Sequence, residues 1–188
     1  MNLAEIPQSK PSNRGTVPRW MAIILALLTW LSGIPLVHGG LPWAISTLMP
    51  RYGWAEGTPG MWNRLGVILV AFAAALLIWV LVLGIAQTPD RLKLGLTPSF
   101  LMTRGPYGYT RNPMYVAELE LWVGWAIFFG SAGILIGSLI LWSVVELIIL
   151  PREERGLEAA FGATYLQYKN SVPRWVGKTK RLRGITAT

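Results

Sequence analysis

The sequence predicts an all-α integral membrane protein. It should have about four transmembrane helices, a short re-entrant or interfacial segment on the outer side, and a C-terminal amphipathic helix at the cytoplasmic face. Three observations predict this. Of 188 residues, 53% are hydrophobic and only 14% are charged, whereas a soluble domain carries about 25% charged residues. The apolar residues gather into runs that approach or reach the roughly 20 needed to cross a bilayer. Threading those runs through a membrane puts all but Arg51 and Arg64 of the 17 Lys and Arg on one side, as the positive-inside bias requires.

The first span runs from about Trp20 to Val37, with Pro35 near its end. It is long and lacks a small-residue cleavage site after it, so it reads as a span rather than a removed signal. Leu41–Met49 is apolar but too short to cross, and Pro42 and Pro50 bracket it; it is the expected outer re-entrant or interfacial piece. The second span, about Leu65 to Ala86, is the cleanest. The third, about Pro113 to Phe129, carries Glu118 and Glu120, and the fourth, about Ile134 to Leu150, carries Glu146. Gly130-Ser131-Ala132-Gly133 between them reads as a tight helix–helix turn. Pro151 should bend the chain, and Leu157, Phe161, Tyr165 and Tyr168 then recur at helical spacing. Gly162 weakens that last helix. The resulting divisions are a tail (1–19), an N-terminal membrane region (20–100), a hairpin region bearing the polar motifs (101–175) and a basic tail (176–188).

Composition excludes several functions. Cys is absent and His38 is the single histidine, so there is no disulfide framework, thiolate nucleophile or multi-histidine metal centre, and no metal site is expected. The net charge of +8 sits beside the spans, where it serves topology and lipid headgroups rather than nucleic acid. Ten Trp suit two interfacial belts.

The chemistry lies in Arg111-Asn112-Pro113-Met114-Tyr115 and Pro151-Arg152-Glu153-Glu154. A membrane hairpin separates them, so both emerge on the same side. Pro at the first helical position with Asn before it is a helix start, with Asn as the expected N-cap. The free amides and dipole of such an end suit a carboxylate, and Arg111 adds a full charge. Tyr115 and Glu118 follow on one face. The turn Gly105-Pro106-Tyr107-Gly108-Tyr109 offers two rings to a planar ligand. Glu146 and Glu153, seven residues apart, should share a face. Glu118 and Glu120 have snorkelling to water as the simple reading. Glu146, deeper, either pairs with an Arg or lines a polar cavity.

The run Leu101-Met102-Thr103-Arg104-Gly105-Pro106-Tyr107, Arg111-Asn112-Pro113-Met114-Tyr115, Glu153-Glu154-x-x-Leu157, Phe161-Gly162-x-x-Tyr165-x-x-Tyr168 and Val172-Pro173-Arg174-Trp175 resembles the isoprenylcysteine carboxyl methyltransferase family, itself similar to phospholipid methyltransferases. The resemblance implies a membrane enzyme using S-adenosylmethionine on a lipophilic small molecule or lipidated substrate among membrane lipids. It implies that Leu101, Met102, Tyr107, Asn112, Pro113, Met114, Tyr115 and Glu153 line the cofactor pocket. Arg111 and Glu154 become the catalytic or supporting pair. Asn112 replaces the family's usual His and cannot titrate near neutrality. Ala117 replaces a common Gly. The family's Arg upstream of the acidic pair is missing, with Arg152 the nearest substitute.

These residue types suit that cofactor. Carboxylates match its ammonium and sulfonium, Arg111 and the helix start match its carboxylate, and tyrosines suit adenine or a cation–π contact. Methyl transfer to a carboxylate or thiolate needs geometry more than a base. An amine acceptor needs a proton acceptor, for which Glu146 or Glu118 is the candidate. A nicotinamide-dependent membrane reductase and a non-catalytic membrane subunit are the competing readings.

Overall fold

The computed structural model describes residues 16–93 and 100–177. Lys10, Arg14, Lys178, Lys180, Arg181 and Arg183 of the two basic tails lie outside the described residues.

Helix α1 (Arg19–Pro35) passes through a π-turn (Leu36–Gly40) into α2 (Leu41–Leu48). Helix α3 spans Met61–Gln87 and α4 spans Pro113–Phe129. Helix α5 (Ala132–Val144) passes through a second π-turn (Val145–Ile149) into α6 (Leu150–Ser171). Three helical stretches are long and apolar enough to cross a membrane: Arg19–Leu48, Met61–Gln87 and Ala132–Ser171, the last broken at Gly162. Their apolar side chains face outward, as with Leu28 (61% exposed), Ile68 (64%) and Ile140 (59%). That pattern suits a lipid solvent.

Helix α4 has the bounds expected of the third span; its 17 residues rise about 25 Å, short of the roughly 30 Å hydrocarbon core. The structure departs from the expected spans in two places. The Leu41–Met49 segment is no separate re-entrant piece but continues the first helix. Pro35 and Pro42 flank the π-turn, whose wider turn absorbs the missing proline N–H bonds. Pro151 likewise does not break its helix. It sits in the first turn of α6, directly after the second π-turn, which gives its ring room.

Two short antiparallel ladders were not expected from the sequence. Strand β1 (Thr16–Pro18) pairs with β4 (Arg91–Lys93), Val17 opposite Leu92. Arg19 adds a backbone bond to the Asp90 carbonyl at 2.9 Å. This ties the start of α1 to the end of α3. At the other end, β2 (Trp54–Ala55) and β3 (Thr58–Pro59) form a hairpin. Its turn residues Glu56 and Gly57 both have positive φ, the geometry that matches strand twist.

The core is the contact of α3 with α4. At Gly66 an added Cβ would collide with the Gly124 carbonyl and the Phe128 backbone. Small residues here let the two backbones touch, the usual basis of helix packing in lipid. Ala73, Leu77, Ala117 and Leu121 continue the seam. Helix α4 ends as expected at Gly130, which has φ 57°. Ser131 N–H bonds the Ala126 carbonyl and Gly130 N–H the Ile127 carbonyl, a Schellman stop. The hairpin then returns as α5.

Candidate active site

The residues that follow α3 and those of α6 meet at the end of the bundle where α4 begins. They enclose a cavity of about 250 Å³ lined by Phe100, Leu101, Met102, Tyr107, Arg111, Asn112, Pro113, Met114, Tyr115, Glu153, Glu154, Leu157, Tyr165 and Tyr168. Every residue singled out from the sequence as cofactor-binding or catalytic is among them. Tyr109 is not; it is 68% exposed, so only one of the two turn tyrosines faces the cavity.

The two glutamates occupy different environments. Glu154 is buried and saturated with cations. Its Oε1 accepts from Arg111 Nη1 at 2.9 Å and Arg174 Nε at 3.0 Å. Its Oε2 accepts from Arg174 Nη2 at 3.0 Å and pairs with Lys169 Nζ at 3.0 Å. Burial pushes the Glu154 carboxyl up, but the hydrogen bonds from Arg174 and Lys169 and the charges of Arg111 and Arg174 outweigh it and hold it below its ordinary range. Glu153 instead is exposed and takes one bond, from the Tyr115 hydroxyl at 2.7 Å. Burial, with the negative charge of Glu153, pushes the nearby Tyr107 phenol up to about 12, so it stays a neutral hydroxyl.

The register of this helix also differs from expectation. Glu146 and Glu153 do not share a face. Glu146 and Glu154, eight residues apart, share one guanidinium, because the π-turn that begins beside Glu146 inserts one extra residue before Glu154. Glu146 accepts from Arg174 Nη1 at 2.5 Å and Trp175 Nε1 at 2.9 Å. The carboxylate is therefore paired with an Arg and does not line the cavity. Arg152 is exposed and makes no part of this network. Arg174, which arrives from downstream, is the guanidinium beside the acidic pair.

A reversal in α6 makes that arrival geometrically feasible. Lys169 Nζ lies 3.0 Å from Glu154 and 2.6 Å from Glu158. Fifteen residues along a straight helix would separate Glu154 and Lys169 by about 22 Å. The helix breaks at Gly162, with φ 52° and ψ −126°, a combination open essentially only to glycine. Beyond the break, Tyr165, Tyr168 and Val172 form a buried cluster with Leu101, Leu157 and Phe161 around it. The Tyr168 hydroxyl donates to the Tyr107 carbonyl at 2.7 Å.

The start of α4 is built differently from the expected cap. Asn112 does not cap the helix; no side chain does. Its Nδ2 donates to the Arg174 carbonyl at 2.9 Å, as the Thr110 hydroxyl does at 2.9 Å. Asn112 thus anchors the returning C-terminal segment and leaves the first amides of α4 uncapped by side chains. Arg111 Nε is buried and, among the described residues, has no acceptor.

Of the intramembrane carboxylates, Glu118 does not snorkel. It is 9% exposed, and its Oε1 lies 3.9 Å from His38 Nε2. Glu120 is half-buried. Sequence reasoning missed Arg174, Trp175, Lys169 and His38. Val172-Pro173-Arg174-Trp175 was the available signal for two of them.

A phospholipid methyltransferase family profile matches residues 62–164, from the start of α3 to just past the Gly162 break. An uncharacterized protein of Haemophilus influenzae is 33% identical over 63 residues, covering 34% of this chain and 100% of that protein. No solved structure matches the chain. The matched span includes the Arg111–Tyr115 helix start and the Glu153–Glu154 pair, and the chain belongs to the phospholipid methyltransferase family.

Proposed function

We propose that the protein is an S-adenosylmethionine-dependent membrane methyltransferase whose cofactor occupies the cavity between Arg111–Tyr115 and Glu153, and whose acceptor is lipophilic. The observation that carries this reading is that a guanidinium and an exposed carboxylate line one cavity. Arg111 Nε is a buried donor lacking an acceptor among the described residues. Glu153 is an exposed carboxylate with one bond, to Tyr115. A ligand whose carboxylate and ammonium share one carbon, a short chain from a sulfonium, offers an anion to the Arg111 guanidinium and cations to Glu153.

Each neighbouring residue has a role in this reading. Glu154, held by three cations, positions Arg111 rather than touching the ligand. Tyr107, neutral because burial and Glu153 raise its phenol to about 12, presents a ring and a hydroxyl to adenine or ribose. Leu101, Met102, Pro113 and Met114 exclude water. The cofactor, when bound, supplies an electrophilic methyl group. The chain holds the donor and acceptor in line and dry, which is worth about 7–11 kcal/mol of barrier in favourable cases. The distribution of Lys and Arg supports a cytoplasmic position for the site and for both termini.

Thermal unfolding of the purified protein tests this. S-Adenosylhomocysteine at about 100 times its dissociation constant should stabilise by about 2.7 kcal/mol, and NADPH should not. Stabilisation by NADPH alone favours a reductase. No response to either ligand favours a non-catalytic subunit.

A further inference from the structure

Beyond α6 the chain crosses the start of α4 as a strap. Arg111 N–H donates to the Pro173 carbonyl at 2.9 Å. The Arg174 carbonyl accepts from Thr110 and Asn112, the residues on either side of Arg111, at 2.9 Å each. The strap therefore holds the backbone of Arg111, and Arg174 also reaches the Arg111 side chain through Glu154. Pro173 and Arg174 lie past residue 164, where the family match ends.

The two arginines share Glu154 unequally. Arg174 takes both carboxylate oxygens, Nε on Oε1 and Nη2 on Oε2, each at 3.0 Å. A planar guanidinium makes this two-bond pairing and an ammonium does not. The third nitrogen of Arg174, Nη1, is held by Glu146. Arg111 has a single bond to Glu154, from Nη1 to Oε1 at 2.9 Å. Nη1 also donates to the Tyr165 hydroxyl at 3.2 Å, which spends both of its hydrogens. Arg111 Nη2 makes no hydrogen bond among the described residues, and unlike Nε it is not fully buried. Arg111 lines the cavity, so this unspent nitrogen is the part of the guanidinium left for a ligand.

That division matters because one carboxylate serves two competing guanidiniums. The side chains of Arg111 and Glu154 are 9% and 8% exposed, so water competes little for either. A buried carboxylate with both oxygens open draws a neighbouring guanidinium into a bidentate pair. Arg111 would then turn a second nitrogen onto Glu154 and away from the cavity. Arg174 prevents this by occupying Oε2 and sharing Oε1. Lys169 Nζ also reaches Oε2, at 3.0 Å, but as a point charge it does not fix the carboxylate plane. We propose that Arg174 is a positioning residue for the methyl donor: by taking the two-bond pairing on Glu154, it keeps the Arg111 guanidinium free to hold the donor's carboxylate. The proposal rests on the methyltransferase reading above. Linkage makes the effect reciprocal: a carboxylate bound on Arg111 must tighten the strap by the factor with which the strap tightens the carboxylate.

The test uses the full chain in nanodiscs and two probes. One is S-adenosylhomocysteine; the other is S-adenosyl-3-thiopropylamine, the same thioether with its ammonium but no carboxylate. The native protein should bind the first about 10-fold more tightly or better, the worth of one charge-assisted hydrogen bond. Arg174→Lys keeps the charge and loses the fork. It should lose about 10-fold in affinity for S-adenosylhomocysteine and stay within about two-fold for the amine. Arg152→Lys, at an exposed arginine outside the network, should change neither. Equal weakening of both probes in Arg174→Lys would mean that Arg174 only supports the fold, and would overturn the proposal. So would native-like affinity of that variant for S-adenosylhomocysteine, or equal affinity of the native protein for the two probes. Where Arg174→Lys does not fold, hydrogen exchange on the native protein decides. S-Adenosylhomocysteine should slow exchange in peptides covering 172–177 about three-fold more than the amine does, and equal slowing overturns the proposal. Failure of the native protein to bind either probe would instead overturn the methyltransferase reading.

Discussion

Gly162→Ala isolates the fold-back that closes the candidate site. The position has φ 52° and ψ −126°, and an added Cβ there meets nothing within 4 Å. The substitution therefore introduces no clash, only backbone strain, which for a non-glycine in such a region is about 1–3 kcal/mol. The strain falls on one equilibrium: docking of the segment after Gly162, held by Lys169 on Glu154 and Glu158 and by Tyr168 on Tyr107. Its opening constant should rise about 5- to 150-fold. Hydrogen exchange measured by mass spectrometry on peptides from Ala163 to Val172 reads this directly. Gly84→Ala is the control, since Gly84 has open space and no positive φ. Exchange in Gly162→Ala within about two-fold of the native protein would refute the argument that glycine at 162 permits the reversal.

Three further outcomes follow from the same contacts. Glu154→Gln leaves Arg111, Arg174 and Lys169 without their shared anion, and should cost on the order of 3 kcal/mol in thermal or denaturant unfolding. The folded-state carboxyl of Glu154 lies below its ordinary 4.5. The stability it contributes is therefore present above about pH 4.5 and lost as pH falls through the lower folded value; unfolding scans across acid pH should show this slope in the native protein and a flatter one in Glu154→Gln. Gly66→Ala drives a methyl group into the Gly124 and Phe128 backbones and should lower stability by about 1–3 kcal/mol, read as a drop in Tm that Gly84→Ala does not show.

Local chemistry carried much of the site in the sequence. Arg111 to Tyr115 and Glu153-Glu154 are recognisable as two polar feet of one helical hairpin, and topology alone brings them to one cavity. The Gly130 turn was legible because a Schellman stop needs a residue at positive φ. What the sequence could not convey was register. A single extra residue in the π-turn Val145–Ile149 rotates the acidic pair, so Glu154 rather than Glu153 joins Glu146 on Arg174. No periodicity argument built on 3.6 residues per turn finds that. Asn112 looked like a helix cap because capping is a local property. Its side chain is taken by the Arg174 carbonyl, a contact 62 residues distant. The fold-back had a sign in Gly162 within an amphipathic run, but glycine marks weakness and reversal alike. His38 meets Trp122 and Glu118 only through the packing of the first helical run on α4.

The central claim is that Glu153 faces the cofactor while Glu154 holds the scaffold. Titration calorimetry of S-adenosylmethionine into the native protein, Glu153→Gln and the control Glu120→Gln tests it most directly. Loss of a charge-assisted contact worth about 1.5–3 kcal/mol should weaken binding to Glu153→Gln by roughly 10- to 150-fold, with Glu120→Gln unchanged. Native-like affinity in Glu153→Gln would contradict the assignment.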